Sequence, residues 1–208
     1  MKMRNAHGFT LMELMVTLFI AAIIVGIAVP NMRDFSRNNR LSSGVNELLR
    51  SLQLARNEAI KRQIGGAQSI IVCASADPVA ATPACGFAGL PFQGWIVFHD
   101  VDGDWQYDAG ETLIEQHNLI DAAVSVKTDN SSVVSYSMTG FANIVGPGGE
   151  VPTTMVLMCD DRGNQLLGAT DSTARAIAID QTGRARVTRR HSTIALAIAN
   201  DGTLACPN

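Results

Sequence analysis

Residues 9–29 form an apolar run broken by a single charge, Glu13, and this run limits the chain more than any other feature. At about 21 residues it is long enough to cross a bilayer as a helix, which needs about 20. The eight residues before it carry Lys2 and Arg4, so this leader is expected on the cytoplasmic side by the positive-inside rule. A secretory signal peptide has a shorter apolar core and a small-x-small cleavage site at its far end. Here the core leads directly to Pro30 and Asn31 and then to a long amphipathic pattern, so the segment is expected to be retained.

A carboxylate at the depth of Glu13 costs about 2.5–3.5 kcal/mol on insertion scales, so it needs a partner or a role. No Lys or Arg lies within residues 9–29. Cleavage between Gly8 and Phe9 would create an α-amino group able to supply the missing cation, within the chain or from a neighbouring subunit.

Gly8, Phe9, Thr10, Leu11, Met12, Glu13 and Leu14 resemble the class III signal of type IV prepilins, G-F-T-L-x-E-L. The resemblance implies leader removal after Gly8 by a prepilin peptidase, N-methylation of Phe9, and docking of the subunit into a filament through Glu13. Pro30 is similar to the helix-bending proline of that family, and an interior proline removes a backbone hydrogen bond in any helix.

Beyond Pro30, Leu41, Val45, Leu48, Leu52, Ala55 and Ala59 recur at alternating spacings of four and three, marking one helical face. The expectation is one helix from Phe9 to about Arg62, roughly 80 Å long at 1.5 Å per residue, ended by Gly65 and Gly66. Its first half would lie in lipid and its second half against a head. Short apolar or alternating runs follow at 68–74, 94–99, 112–117, 123–127, 133–138, 154–159, 175–180 and 193–199, and these read as strands. The Ala-, Pro- and Gly-rich stretch 76–94 and the stretch 146–150 read as loops.

The domain organisation expected is a leader at 1–8, a transmembrane and filament-core helix at 9–29, an amphipathic helix at 30–64 and a periplasmic β-rich head at 65–208. The fold class is α+β. Leu54, Ala55, Arg56, Glu58, Ala59, Ile60 and Arg62 resemble the L-A-R-x-E-A-x-x-R helix of the FimT/GspH branch of pilin-like proteins. Gly94, Trp95, Ile96, Val97 and Phe98 resemble its G-W-x-V-F strand. That resemblance implies a long helix packed on a head of two antiparallel sheets.

The four cysteines, Cys73, Cys85, Cys159 and Cys206, have no C-x-x-C spacing, which argues against zinc or a thioredoxin-like pair. Disulfides in an oxidising compartment fit better, with free buried thiols as the alternative. Three pairings are open to four cysteines. The one adopted as an expectation closes a loop with Cys73 and Cys85 and fastens the tail with Cys159 and Cys206.

Asp100, Asp102, Asp104, Asp108 and Glu111 stand at positions 1, 3, 5, 9 and 12 of an EF-hand-like spacing. Trp105 occupies the position where such a loop needs glycine, and strands rather than helices flank it. The expectation is a solvated acidic hairpin turn, with a calcium site as the alternative. No other metal and no cofactor is expected.

Net charge is −3, so the whole molecule does not attract nucleic acid, and a polyanion site must be local. Arg184, Arg186, Arg189 and Arg190 supply such a patch, with no acid among them. Guanidinium groups offer bidentate donors to phosphate and stay charged. Gly183, Arg184 and Arg186 resemble the G-R-x-R DNA-binding motif of the FimT branch, minor pilins that serve DNA uptake in natural transformation. Arg189 and Arg190 join on charge alone. The bland reading is an arginine-rich turn at a sheet edge, where positive side chains discourage edge pairing.

His99, His117 and His191 are isolated from Ser, Cys or carboxylates in any catalytic spacing, so no enzymatic activity is expected. Two functions compete. One is a minor pilin that binds double-stranded DNA. The other is an H-type minor pseudopilin of a type II secretion system without a DNA ligand. Either one partners other major and minor pilins or pseudopilins, and resides in the inner membrane before assembly.

Overall fold

The computed structural model describes residues 9–63, 65–86, 93–118, 123–129, 133–146, 149–151 and 153–206. Among the described residues helix α1 (Leu11–Arg62) comes first and eleven strands follow. The chain divides into two units, Met1–Asn39 and Arg40–Asn208. Within the first unit the described apolar side chains of α1 are exposed, Leu11 at 77% and Ile27 at 64% among them. By length and composition this part of the helix can cross a membrane.

In the second unit, α1 ends where Gln63 turns left-handed at φ 50° and Gly66 follows at φ 75°. Lys61 and Arg62 in the last turn pair with Glu58 at 3.3 and 2.9 Å, a spacing that brings side chains together on one helix face. The face expected from spacing is the buried one: Leu41, Val45, Leu48, Leu52, Ala55 and Ala59 are at most 4% exposed.

One sheet has six strands: β1 (Ser69–Ser75), β2 (Gly94–Asp100), β3 (Thr112–Asn118), β5 (Val133–Tyr136), β6 (Ala142–Gly146) and β7 (Gly149–Val151). Their order is β3-β2-β1-β5-β6-β7. The other contains β4 (Ser125–Thr128), β8 (Thr153–Cys159), β10 (Asp171–Asp180) and β11 (Ala185–Arg190) in the order β11-β10-β8-β4, with the short β9 (Leu166–Leu167) pairing β10. All pairings are antiparallel.

The α1 face shares one core with Ile70, Val72, Trp95, Val97, Val134, Tyr136 and Ile144 of the first sheet and with Val156, Met158, Ile177 and Ile179 of the second. Successive strand residues point to opposite faces. Accordingly Ile71, Cys73, Ile96 and Phe98 build a second core on the far side of the first sheet, closed by the Cys73–Cys85 disulfide. The far side of the second sheet is covered by α2 (His191–Asn200) and held by Cys159–Cys206. The fold is therefore α+β, a long helix with a two-sheet head.

Two expectations about elements fail, and one strand was not expected. Residues 193–199, read as a strand, belong to α2. Ile194, Leu196 and Ile198 alternate as in a strand, but the alanines between them are strong helix formers, and Ile194, Ala197 and Ile198 meet the core at helical spacing. Leu196 stays 63% exposed. Within 146–150, read as a loop, Gly146 pairs Gly149 and Val145 pairs Glu150 in the β6–β7 hairpin, and 147–148 lie outside the described residues. The arginine-rich segment is not a turn alone: after the turn at 181–183 it becomes the edge strand β11.

Candidate functional site

The start of α1 is capped. Thr10 Oγ1 accepts the backbone N–H of Glu13 at 3.2 Å, the hydrogen bond of a capping box. This places Glu13 in the first turn, where the exposed N–H groups of a helix favour a negative charge. The T-x-x-E signal for this cap was present in the sequence beside the more visible processing motif. Phe9 is exposed, and Gly8 lies outside the described residues.

Gly183, Arg184, Arg186, Arg189 and Arg190 stand at and after the β10–β11 turn. Asp180 builds this turn: its carboxylate accepts the Thr182 hydroxyl, the Thr182 N–H at 3.0 Å and the Arg184 N–H at 3.3 Å. The Thr182 hydroxyl, followed by these N–H groups and the Arg186 charge, holds the Asp180 carboxyl below the usual carboxylate range. Gly183 sits at φ 74°, and a Cβ there would lie 2.1 Å from the Gly140 carbonyl oxygen. Both facts call for glycine without any ligand.

The neighbouring turn carrying Gly140 joins β5 to β6. Arg56 of α1 reaches both turns, donating Nε–H to Gly140 O at 3.0 Å and Nη2–H to Thr182 O at 3.2 Å. The Ala142 N–H adds a direct bond to Gln181 O at 3.0 Å. The start of the arginine segment is thus fixed from three sides.

All four arginines are exposed. Along β11, alternation puts Arg186, Thr188 and Arg190 on one face and Ala185, Val187 and Arg189 on the other. Arg189 donates to Asp171, with Nε at 3.0 Å, and that bond holds the Asp171 carboxyl low. Arg186 lies 3.9 Å from Asp180. Among the described residues the guanidinium groups of Arg184 and Arg190 have no hydrogen-bond partner. Arg184, Arg186 and Arg190 therefore present charge to solvent, while Arg189 is committed to Asp171, a partner 18 residues away that charge counting could not select.

The acidic loop between β2 and β3 brings Asp100, Asp102 and Asp104 together, with one oxygen of each within 4.8 Å of the others. Asp108 is not in that group. Asp100 is fully buried and accepts the N–H groups of Gly103 at 2.7 Å and Trp105 at 3.2 Å, yet burial still pushes its carboxyl up. Glu111 closes the loop by accepting the N–H groups of Val101 at 2.7 Å and Asp108 at 3.1 Å. Trp105 adopts φ 64°, the left-handed conformation for which glycine was expected. The loop's acids serve largely as acceptors for its own backbone.

The histidines are dispersed. His117 stacks on Trp95 at 4.2 Å with Nε2 3.4 Å from Glu47, and Trp95 donates to Ser51 at 2.8 Å. His191 Nε2 lies 3.2 Å from Asn164 O. His99 and Asp100 are adjacent on β2 and so point to opposite faces.

The family model described as Type II transport protein GspH matches residues 44–189. The chain belongs to the GspH family. The prokaryotic N-terminal methylation motif matches residues 3–29, so this GspH-family protein is a pilin-like subunit of the minor pilin or pseudopilin class. Family membership implies assembly with other pilin-like subunits, and the methylation motif with its apolar helix is consistent with anchoring in the inner membrane. Two crystal structures of the Pseudomonas aeruginosa PAO1 type IV minor pilin FimU are similar. In space group P21 the identity is 20% and the TM-score 0.49, covering 76% of this chain and 94% of FimU. In space group P65 the values are 19% and 0.46, covering 73% and 94%. No curated protein matches the chain.

Proposed function

We propose that this GspH-family protein is a minor type IV pilin that contributes double-stranded DNA binding for uptake in natural transformation. The observation that carries the reading is the edge position of β11, where Arg186 and Arg190, with Arg184 just before the strand, are exposed behind a turn held by Gly183 and Arg56. Such an array contacts backbone phosphates without reading bases, so binding is sequence-independent and weakens with salt. In this reading a prepilin peptidase cuts after Gly8, Phe9 is N-methylated, and Glu13 meets a terminal amine as the subunit enters the filament. The head lies in the periplasm before assembly, and the protein is a binding and structural subunit rather than an enzyme.

A second reading is favoured by the description of the matched family as a type II transport protein. There the chain is an H-type minor pseudopilin with no DNA ligand, and the β11 arginines only protect a sheet edge. Replacing Arg184 and Arg186 by Gln separates the two in cells. Under the DNA reading, uptake of labelled duplex and transformation fall while pilus assembly persists. Unchanged transformation in cells carrying the double variant selects the secretion reading.

A further inference from the structure

A cavity of about 170 Å³ opens between α1 and the β10–β11 turn, lined by Gln53, Arg56, Tyr136, Gly183 and Arg184 among others. Liquid water occupies about 30 Å³ per molecule, so the space admits a group larger than one water. Three features of the lining are unexplained by the fold itself. Tyr136 is wholly buried, yet its hydroxyl has no hydrogen-bond partner. Arg56 spends its hydrogen bonds on two neutral carbonyls, leaving its charge without a paired carboxylate among the described residues. Arg184 has no partner for its guanidinium among them either.

We infer that this pocket is an oxyanion site, and that in the filament it seats one backbone phosphate of the bound DNA. Charge and donor count both call for such a ligand. Arg56, Tyr136 and Arg184 all line the cavity, and their side chains offer two guanidinium groups and a phenol O–H, all of them donors. A trapped water would satisfy the hydroxyl but leave the positive charge unmatched, whereas a phosphate oxygen accepts from both kinds of donor and carries the opposite charge.

Asp180 is an acid nearby, and its carboxylate is already occupied by Thr182, the Arg184 N–H and the approach of Arg186. Burial pushes the Tyr136 phenol up, against the pull of Arg56 and with the Asp180 charge adding to it, so the group stays a donor. The fixed turn places Arg184 in the pocket lining, while Arg186 and Arg190 continue along the strand for neighbouring phosphates.

The phosphodiester assignment rests on the DNA reading above; the oxyanion chemistry does not. The test uses the full-length protein in non-ionic detergent, with thermal unfolding followed in inorganic phosphate and in chloride at matched ionic strength, and duplex retardation measured alongside. The variants are Tyr136→Phe, Arg184→Gln and Lys127→Gln, the last on β4 at the opposite edge of the sheet. Phosphate is expected to raise the melting temperature of the parent and of Lys127→Gln and to have no such effect on the other two. Duplex affinity is expected to fall about tenfold in Tyr136→Phe, which removes only an oxygen from the pocket. No phosphate effect on the parent, or an equal effect on Tyr136→Phe, overturns the site; if parent and Tyr136→Phe then retard duplex alike, the DNA reading survives alone. A pocket-dependent phosphate effect in a protein that retards no duplex keeps the oxyanion site and removes the DNA assignment.

Discussion

Arg56 on α1 donates its Nε–H to the carbonyl oxygen of Gly140 at 3.0 Å. Gly140 lies in the turn of a hairpin of one sheet, and the same guanidinium bonds Thr182 in a hairpin turn of the other. One helix side chain therefore ties the two sheets together where the arginine strand begins.

Arg56→Ala removes both bonds and leaves two carbonyls short of a donor. Hydrogen bonds to a charged group contribute about 1.5–3 kcal/mol, and the site is half-buried. A loss of about 2–3 kcal/mol in urea unfolding is expected, with the midpoint lowered and the slope unchanged. A neutral result removes the clamp from the account.

Glycine at 183 answers two separate demands, and a matched substitution separates them. Gly168 has a similar φ of 66° with nothing near its missing Cβ, whereas the Cβ of a residue at 183 meets the Gly140 carbonyl at 2.1 Å. Gly168→Ala is expected to cost about 1–2 kcal/mol for left-handed backbone alone. Gly183→Ala is expected to cost more. Equal losses in denaturant unfolding contradict the packing explanation.

The fold was legible where the physics is local. The four-and-three spacing of Leu41, Val45, Leu48, Leu52, Ala55 and Ala59 marks a buried helix face, and the runs that became β1, β2, β3 and β8 are apolar or alternating and bounded by turn residues. β11 was hidden because three of its six residues are arginines, whose charge signals a surface rather than a strand, and β6 because its end merges with glycines. α2 was misread because alternating Ile and Leu outweighed the intervening alanines. At the candidate site, sequence displayed the charge but not its partners. Arg56 stands 126 residues from Thr182, and no spacing rule connects them. Nor does any local pattern show that the Tyr136 hydroxyl lacks a partner, since that follows from the packing of α1 against β5 and the turn at 181–183. Four cysteines left three pairings open, and the fold selects one by bringing Cys73 and Cys85 to a Cα separation of 5.6 Å and Cys159 and Cys206 to 5.8 Å.

Two aspartates are expected to shift in opposite directions with pH. The Arg189 hydrogen bond depresses Asp171, so its share of stability is present above about pH 3.9 and lost as pH falls through the lowered folded value. Burial raises Asp100, so its share is present below about pH 3.9 and lost as pH rises through the raised folded value. Carboxyl carbon NMR titration should place Asp171 below and Asp100 above the ordinary value, and Arg189→Gln should return Asp171 alone toward it. An Asp171 midpoint indifferent to Arg189→Gln rejects the pairing.

Glu13→Ala tests the role of the acid in the apolar helix. An ordinary anchor loses nothing when a carboxylate is removed, and insertion becomes easier by about 2.5–3.5 kcal/mol. A docking acid behaves differently: the variant is expected to reach the membrane, to be processed after Gly8, and to be missing from sheared filaments on immunoblotting. Normal incorporation refutes docking through Glu13.

The most direct measurement is duplex affinity of the full-length protein in detergent across a salt series, comparing the parent with a variant carrying Arg184→Gln and Arg186→Gln. Each phosphate contact contributes about 0.9 to the slope of log affinity against log salt. The account predicts retardation at low salt for the parent, and in the double variant weaker binding with a slope shallower by about 2. Identical slopes for the two proteins, or no retardation by the parent at low salt, would contradict it.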